Sequence, residues 1–129
     1  MARAQMILVV EDDPANREYA TAVLTSEGFE IEAVESAELA LKVIGRRTPD
    51  LILMDIQLPG MDGLELTRRL KANPATEPIP IVAMTGQTMP IHQRAAMAAG
   101  CAGFISKPAT PAALASEVRT HIKGQGQGS

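Results

Sequence analysis

The run from Leu51 to Asp55, four apolar residues followed by an aspartate, limits the possible folds of this sequence more than any other feature. Consecutive apolar residues are typical of a strand that is buried on both faces, and the turn signal Pro59-Gly60 follows soon after. Asp55 therefore lies at the carboxyl end of a predicted core strand. In open α/β sheets, ligands bind at the edge formed by the carboxyl ends of the strands. An aspartate at this position can also simply end the strand.

The remaining sequence alternates further strand-like runs with helix-like segments. The predicted strands are 6–10, 29–34, 51–55, 79–84 and 100–105, and the predicted helices are 14–27, 37–44, 63–72, 89–99 and 111–122. Five strands that alternate with five helices predict a doubly wound α/β fold, in which helices cover both faces of a parallel sheet. Glu30 and Glu32 alternate with apolar residues, which favours a half-exposed strand at the sheet edge.

Four of the predicted helices begin with a residue that can cap them. The capping residues are Asp13, Ser36, Asp62 and Thr110. The inner face of the first helix is predicted to bury Tyr19, Ala20, Val23 and Leu24. The segment 89–99 has little bulk on any face, so that we expect a marginal or mobile helix there.

Length and composition indicate one globular domain. Of the 129 residues, we assign 1–123 to the domain and 124–129 to a flexible Gly/Gln tail. No apolar run approaches the ~20 residues that span a bilayer, and the start of the chain lacks the apolar region of a signal peptide. We therefore expect a cytoplasmic protein without membrane insertion. A net charge of −3 and an aromatic content of 2% offer neither a basic surface nor a stacking platform, so direct nucleic-acid binding is not expected.

The single cysteine and the two histidines have plain interpretations. Cys101 cannot form an internal disulfide, and its small neighbours predict a partly buried, inert thiol. His92 and His121 fall in helical segments away from the acidic residues and are predicted to be solvated.

Polar side chains follow four of the five predicted strands. Glu11, Asp12 and Asp13 follow the first strand, Asp55 ends the third, Thr85 follows the fourth and Lys107 follows the fifth. Right-handed crossovers in a doubly wound sheet bring the strands' carboxyl ends to one edge, so these side chains are expected to converge.

Converging carboxylates require a cation. At an effective dielectric constant of ~20, two carboxylates ~4 Å apart repel each other by roughly 4 kcal/mol. Lys107 supplies one positive charge, and a hard dication supplies two. A site with few carboxylates and room for water suits Mg²⁺ better than Ca²⁺. The cluster contains neither Cys nor His, which argues against zinc and copper.

A Mg²⁺ site at this edge suits phosphoryl transfer, a reaction that depends on positioning and charge neutralisation. Asp55 is the predicted nucleophile, which would form an aspartyl phosphate. Asp12 and Asp55 are the predicted metal ligands. Glu11 is expected to help directly or through water, and the backbone carbonyl of Gln57 to complete the shell.

Two further residues have predicted roles at the phosphoryl group. Lys107 is expected to pair with the Asp55 carboxylate and then with a phosphoryl oxygen. The hydroxyl of Thr85 is expected to donate a hydrogen bond to the phosphoryl group. Asp13 is assigned to helix capping rather than to metal binding.

Four motifs together resemble the receiver domain of bacterial two-component response regulators, in particular the chemotaxis-regulator-like, stand-alone type. They are Val10-Glu11-Asp12-Asp13-Pro14, Met54-Asp55-Ile56-Gln57-Leu58-Pro59-Gly60-Met61-Asp62-Gly63, Met84-Thr85-Gly86 and Phe104-Ile105-Ser106-Lys107-Pro108. The resemblance covers nearly the whole chain. It implies the flavodoxin-like strand order 2-1-3-4-5, Mg²⁺ as cofactor, and transfer to Asp55 from a histidine kinase or a histidine phosphotransfer protein.

The resemblance also implies a conformational switch. Thr85 would move toward the phosphate and Phe104 would rotate inward, which would change a surface that binds a downstream protein. The family has tyrosine more often at this aromatic position, so the switch here would depend on packing alone. Phe104 can also be an ordinary core residue. The family further suggests a cis peptide bond between Lys107 and Pro108.

Two other functional classes, an electron carrier and a phosphatase, share part of this sequence pattern. A flavodoxin-like electron carrier would share the topology, but the acidic run 11–13 would repel the FMN phosphate. An aspartate-nucleophile phosphatase needs a carboxylate two residues after the nucleophile, where Gln57 stands, so we expect no enzyme activity beyond autodephosphorylation. Within the family, the chain can be a stand-alone regulator, a phosphorelay intermediate, or a receiver from a hybrid histidine kinase or larger regulator.

Overall fold

The computed structural model describes residues 4–58, 62–86 and 90–122. Within these ranges ten elements alternate: β1 (Met6–Val10), α1 (Pro14–Ser26), β2 (Glu30–Val34), α2 (Ala37–Arg46), β3 (Leu51–Asp55), α3 (Gly63–Ala72), β4 (Ile81–Thr85), α4 (Pro90–Ala99), β5 (Gly103–Ser106) and α5 (Pro111–His121). The predicted alternation of strands and helices is confirmed. None of the helices in these ranges has the length and apolarity to cross a membrane. The predicted tail at 124–129 lies outside the described residues.

The five strands form one parallel sheet in the order β2-β1-β3-β4-β5, which is the predicted flavodoxin-like order. Val10 pairs with Met54, Asp55 with Met84, and Thr85 with Ser106. This register aligns the carboxyl ends of β1, β3, β4 and β5 at one edge of the sheet. β2 lies at the outer edge and is mostly exposed, as its glutamates indicate.

Alternating residues of the strands build two cores, one on each face of the sheet. In β1, Met6, Leu8 and Val10 pack with residues of α2, α3 and α4, whereas Ile7 and Val9 pack with residues of α1 and α5. β1, β3 and β4 are buried along their whole length. Helices on both faces explain why continuous apolar runs, rather than alternating ones, mark these strands.

Each predicted capping residue accepts a hydrogen bond from a backbone N–H group of its helix. The distances are 3.2 Å from Ala15 to Asp13, 3.2 Å from Leu39 to Ser36, 2.8 Å from Glu65 to Asp62 and 3.1 Å from Ala113 to Thr110. The caps therefore determine where α1, α2, α3 and α5 begin. Of these, α1 and α3 begin soon after the strands that carry the carboxylates.

β4 begins two residues later than its apolar run and extends to Thr85. The N–H group of Ile79 donates to the Thr76 carbonyl within a turn, and Pro80 has no N–H group. Neither residue therefore donates a backbone hydrogen bond to a neighbouring strand, although Ile79 is buried.

β5 also begins later than predicted, at Gly103. The N–H groups of Gly100 and Cys101 donate to the carbonyls of Met97 and Ala96, and so close the end of α4. Gly100 has a φ of 115°, a conformation that favours glycine after a helix. The first two residues of the predicted strand, Gly100 and Cys101, therefore belong to the C-terminal end of α4 and not to β5.

Three side chains contradict the expected burial. Tyr19 is 41% exposed rather than buried, because its hydroxyl reaches across the surface and donates to the Ala109 carbonyl at 2.7 Å. His92 is half-buried rather than solvated, and its Nδ1 is buried without a hydrogen-bond partner among the described residues. It shares a helix face with the small residues Ala96 and Ala99, which allow that face to approach the core. His121 is also less solvated than predicted, because its side chain is only 24% exposed and lies against Glu117.

Candidate functional site

Two carboxylates in different surroundings, those of Glu11 and Asp12, directly follow β1. Glu11 is fully buried, and both of its oxygens accept hydrogen bonds. Oε1 accepts from Lys107 Nζ at 2.9 Å, and Oε2 accepts from the Asp13 N–H group at 3.2 Å. Asp12 is exposed, and its side chain accepts no hydrogen bond in the part of the chain that the structure describes. Asp13 caps α1, as predicted.

Asp55, the last residue of β3, is largely buried beside Glu11 and Lys107. The residue is 4% exposed. Its Oδ1 accepts a hydrogen bond from the Gln57 N–H group at 2.9 Å, and its Oδ2 accepts one from Lys107 Nζ at 2.9 Å. The structure therefore brings Asp55, Glu11 and Lys107 together, as the positions of their strands predict.

Glu11, Asp12 and Asp55 form a group that can hold a metal ion. One carboxylate oxygen from each residue lies within 4.8 Å of those from the other two. All the donors are hard carboxylate oxygens, and neither Cys nor His belongs to the group. This donor set fits the predicted Mg²⁺. The carbonyl of Gln57 stays a prediction as a further ligand.

Lys107 connects β5 to the acidic group. Its N–H group donates to the Thr85 carbonyl at 2.8 Å, and its peptide bond to Pro108 is cis, as the resemblance implies. Burial by itself lowers the pKa of Lys107. The hydrogen bonds to Glu11 and Asp55, together with their negative charges, outweigh burial and raise this pKa above its usual value. The ammonium group therefore stays charged between the two carboxylates.

The pKa of Glu11 is raised above its usual value even though Lys107 donates to it. Burial raises the pKa of Glu11, and the nearby charge of Asp55 acts in the same direction. The hydrogen bonds from Lys107 and Asp13 oppose this increase without cancelling it. Since one ammonium group serves two buried carboxylates, a further cation at the site would reduce their repulsion.

Thr85 and Phe104, the two predicted switch residues, lie in different surroundings. Thr85 is fully buried at the end of β4, and its hydroxyl donates to Oε1 of Gln57 at 3.3 Å. This contact links the loop after β3 to β4, and no sequence motif indicated it. Phe104 is half-buried and packs against the core on the α2, α3 and α4 face.

Two residues near the site were missed by sequence reasoning. Arg17, in α1, donates from Nη1 to the carbonyls of Glu11 at 2.9 Å and Asp12 at 3.4 Å. Gly63, the first residue of α3, donates its N–H group to the Ile56 carbonyl at 3.1 Å. A glycine directly after the cap Asp62 was the available signal that α3 approaches the chain after β3 closely. Arg17 gave no such signal, because an arginine on a helix has no local sign that it contacts the backbone.

The comparison with protein families agrees with this fold and site. The family model for the response regulator receiver domain matches residues 7–119, from β1 into α5. The chain belongs to the receiver domain family of two-component response regulators. Receiver domains bind Mg²⁺ in an acidic pocket, and an acidic group of that kind is present here.

Among curated relatives, the DNA-binding response regulator MtrA of Mycolicibacterium smegmatis is 35% identical over 119 residues. The match covers 92% of this chain and 51% of MtrA. This chain therefore spans about half the length of that relative.

Solved receiver domains have the same fold. The signal receiver domain of a signal transduction histidine kinase from Syntrophus aciditrophicus is 34% identical, with a TM-score of 0.84 over 91% of this chain and 89% of that chain. The receiver domain of the sensor histidine kinase PA1611 from Pseudomonas aeruginosa is 31% identical, with a TM-score of 0.84 over 92% of this chain and 97% of that chain. In that crystal structure a magnesium ion is coordinated in the active site cleft.

Proposed function

We propose that this chain is a phosphoacceptor switch that takes a phosphoryl group onto Asp55 from a phosphohistidine of a histidine kinase or histidine phosphotransfer protein. The main support is the shared position of Lys107 Nζ, 2.9 Å from both Asp55 and Glu11, beside a third carboxylate, Asp12. Such a cluster at the carboxyl edge of a doubly wound sheet suits phosphoryl transfer better than electron transfer.

The transfer exchanges one bond to phosphorus for another. A carboxylate oxygen of Asp55 attacks phosphorus, the P–N bond of the phosphohistidine breaks, and its electron pair stays on the imidazole nitrogen. Negative charge then lies on the phosphoryl oxygens close to the protein. Lys107 neutralises part of this charge, and the Thr85 hydroxyl can donate to a phosphoryl oxygen after leaving Gln57.

The metal part of the proposal assigns Mg²⁺ to Asp12, Asp55 and Glu11, with the Gln57 carbonyl completing the protein ligands. When bound, the ion supplies positive charge that offsets the carboxylates and the phosphoryl oxygens. The protein's own contribution is to hold these oxygens close together in advance, with Glu11 fixed by two hydrogen bonds.

The switch follows from the same contacts. The phosphoryl group adds negative charge and strong acceptors beside Thr85, so that the Thr85 to Gln57 hydrogen bond gives way to one with the phosphate. Phe104, half-buried on the neighbouring strand, can then repack. We infer that the changed surface binds a downstream protein in the cytoplasm, without direct contact with nucleic acid.

The test is phosphorylation by a small phosphodonor such as phosphoramidate in the presence of Mg²⁺. The parent chain should take up one acid-stable, base-labile phosphate, and Asp55→Asn should take up none. Asp13→Asn is the matched control, because Asp13 caps α1 and Asn can also cap, so this variant should be phosphorylated like the parent.

Two results would contradict the proposal. Equal phosphate uptake by Asp55→Asn and the parent would show that Asp55 is not the acceptor. Repeated hydrolysis of p-nitrophenyl phosphate by the parent would indicate a phosphatase. We expect no such turnover, because an amide side chain, that of Gln57, stands where a phosphatase needs a carboxylate.

A further inference from the structure

Arg17 is a charged residue beside the acidic group to which the proposed function gives no role. It lies in α1 and is half-buried. A single nitrogen, Nη1, donates to the Glu11 carbonyl at 2.9 Å and to the Asp12 carbonyl at 3.4 Å. The guanidinium group thus contacts the backbone of Glu11 and Asp12, the two residues after β1 that belong to the candidate metal site.

Asp12 depends on this contact more than Glu11 does. The Glu11 side chain is fixed by Lys107 and by the Asp13 N–H group. The Asp12 side chain is exposed and accepts no hydrogen bond from the residues that the structure describes. No side-chain hydrogen bond among the described residues holds the Asp12 carboxylate, so its placement depends on the backbone from which it extends, and Arg17 donates to that backbone.

We propose that Arg17 is a positioning residue for the metal site, which holds the carbonyls of Glu11 and Asp12 so that the Asp12 carboxylate stays beside Asp55. This inference rests on the magnesium site of the proposed function. Groups that orient metal ligands without touching the metal affect metal affinity by about 10-fold to 100-fold when removed.

The charge of Arg17 by itself would act in the opposite direction. A guanidinium group close to the site repels a dication, so its removal would strengthen Mg²⁺ binding if charge were its only effect. Positioning predicts weaker binding after removal. The sign of the change in affinity therefore distinguishes the two roles.

The test compares Mg²⁺ dissociation constants of the full chain and its variants by isothermal titration calorimetry, with Mn²⁺ binding followed by electron paramagnetic resonance as a second measurement. Arg17→Met should bind Mg²⁺ about 10-fold more weakly than the parent. Arg17→Lys should recover most of the affinity, because an ammonium group can also donate to both carbonyls. Arg119→Met is the control, since Arg119 in α5 pairs with Glu27, the residue that follows α1, and not with the acidic run 11–13.

Unfolding by urea without metal separates positioning from general stability. The affinity is measured under conditions in which each variant is folded, so a merely structural role would lower stability and leave the dissociation constant unchanged. Should Arg17→Met fail to fold, Arg17→Gln replaces it. Gln is too short to reach both carbonyls, and the same weakening is expected.

Three outcomes would overturn the inference. Parent-like affinity in Arg17→Met, or in Arg17→Gln where it replaces the first variant, would remove any role for Arg17. Tighter binding would assign it an electrostatic effect only. A parent chain that does not bind Mg²⁺ would overturn this inference together with the metal part of the proposed function, which distinguishes that failure from the first two.

Discussion

At the scale of single residues, Lys107 shows how one side chain can hold together a site of like charges. Its Nζ donates to Glu11 and Asp55, which are both buried. Its pKa is raised by these partners against the opposing effect of burial. Lys107 therefore offsets part of the repulsion between these carboxylates, and the acidic group still contains more negative charge than one lysine can neutralise.

Replacing Lys107 should destabilise the protein without metal. Lys107→Met leaves two buried carboxylates without their donor, which is expected to lower the free energy of unfolding by about 2 kcal/mol. Urea denaturation in a chelating buffer measures this value. Lys42→Met, at an exposed lysine of α2, is the matched control and should change little. Equal stabilities of the two variants would contradict the bridging role.

Cys101 provides a pH-dependent prediction at the same scale. The residue is 4% exposed, and burial raises the pKa of its thiol. The unfolded chain then loses the thiol proton at a lower pH than the folded chain. This contribution to stability is complete below the ordinary thiol pKa of about 8.5 and is lost as pH rises toward the raised value.

Between pH 7 and pH 10, the parent should therefore lose more stability than Cys101→Ala. The difference in slope is at most about 1.4 kcal/mol per pH unit above the ordinary thiol pKa. Urea unfolding at several pH values measures it, and all other titrating groups are shared by the two chains. Parallel pH profiles would show that the thiol is not shielded in the folded state.

At the scale of elements, the start of α3 approaches the end of β3 closely because Gly63 has no side chain. A Cβ atom on Gly63 would lie 2.6 Å from the Asp55 carbonyl oxygen and 2.6 Å from Cα of Ile56. Both are backbone atoms and cannot rotate away. The first turn of α3 therefore sets the position of the chain at the proposed phosphoacceptor.

Gly63→Ala should therefore destabilise the fold by about 1–3 kcal/mol, the usual cost of overpacking a close contact. Gly45→Ala is the matched control in α2, where a Cβ atom would have no atom within 4 Å. That substitution should stabilise the helix by up to ~1 kcal/mol, because alanine loses less conformational entropy. Thermal or urea unfolding of both variants measures the opposite signs, and equal signs would contradict the close approach.

At the scale of the whole molecule, one parallel sheet brings distant parts of the chain to one edge. Lys107 and Glu11 are 96 residues apart in sequence and 2.9 Å apart in space. The register of β1, β3, β4 and β5 produces this meeting. The proposed metal binding at that edge would therefore depend on the folded arrangement of the whole sheet.

Mg²⁺ should stabilise the folded protein in proportion to its affinity. At a free concentration 100 times the dissociation constant, the expected gain is about 2.7 kcal/mol, because the unfolded chain does not assemble the three carboxylates. Thermal unfolding at increasing Mg²⁺ measures this gain. Asp12→Asn should abolish it and Asp13→Asn should retain it. A gain that persists in Asp12→Asn would place the ion elsewhere.

Much of the fold could be predicted because its signals are local. Buried strands appear as apolar runs, and the caps Asp13, Ser36, Asp62 and Thr110 lie beside the helices that they start. The convergence of Asp55 and Lys107 was expected because right-handed crossovers bring the carboxyl ends of parallel strands to one edge of the sheet. The two late strand starts have local backbone causes, the turn from Thr76 to Ile79 before Pro80 and the closure of α4 by Gly100 and Cys101, which an apolar run does not reveal.

The elements, their succession and the edge of the sheet at which the carboxylates lie can be derived from the amino-acid sequence, since each depends on neighbouring residues and on the general handedness of crossovers. The contacts between side chains of different elements could not be derived in this way. The bridge from Lys107 to Glu11, the contact of Thr85 with Gln57, the restraint by Arg17 and the exposure of Tyr19 depend on how separate elements pack. Such contacts join residues whose spacing along the chain carries no periodic signal.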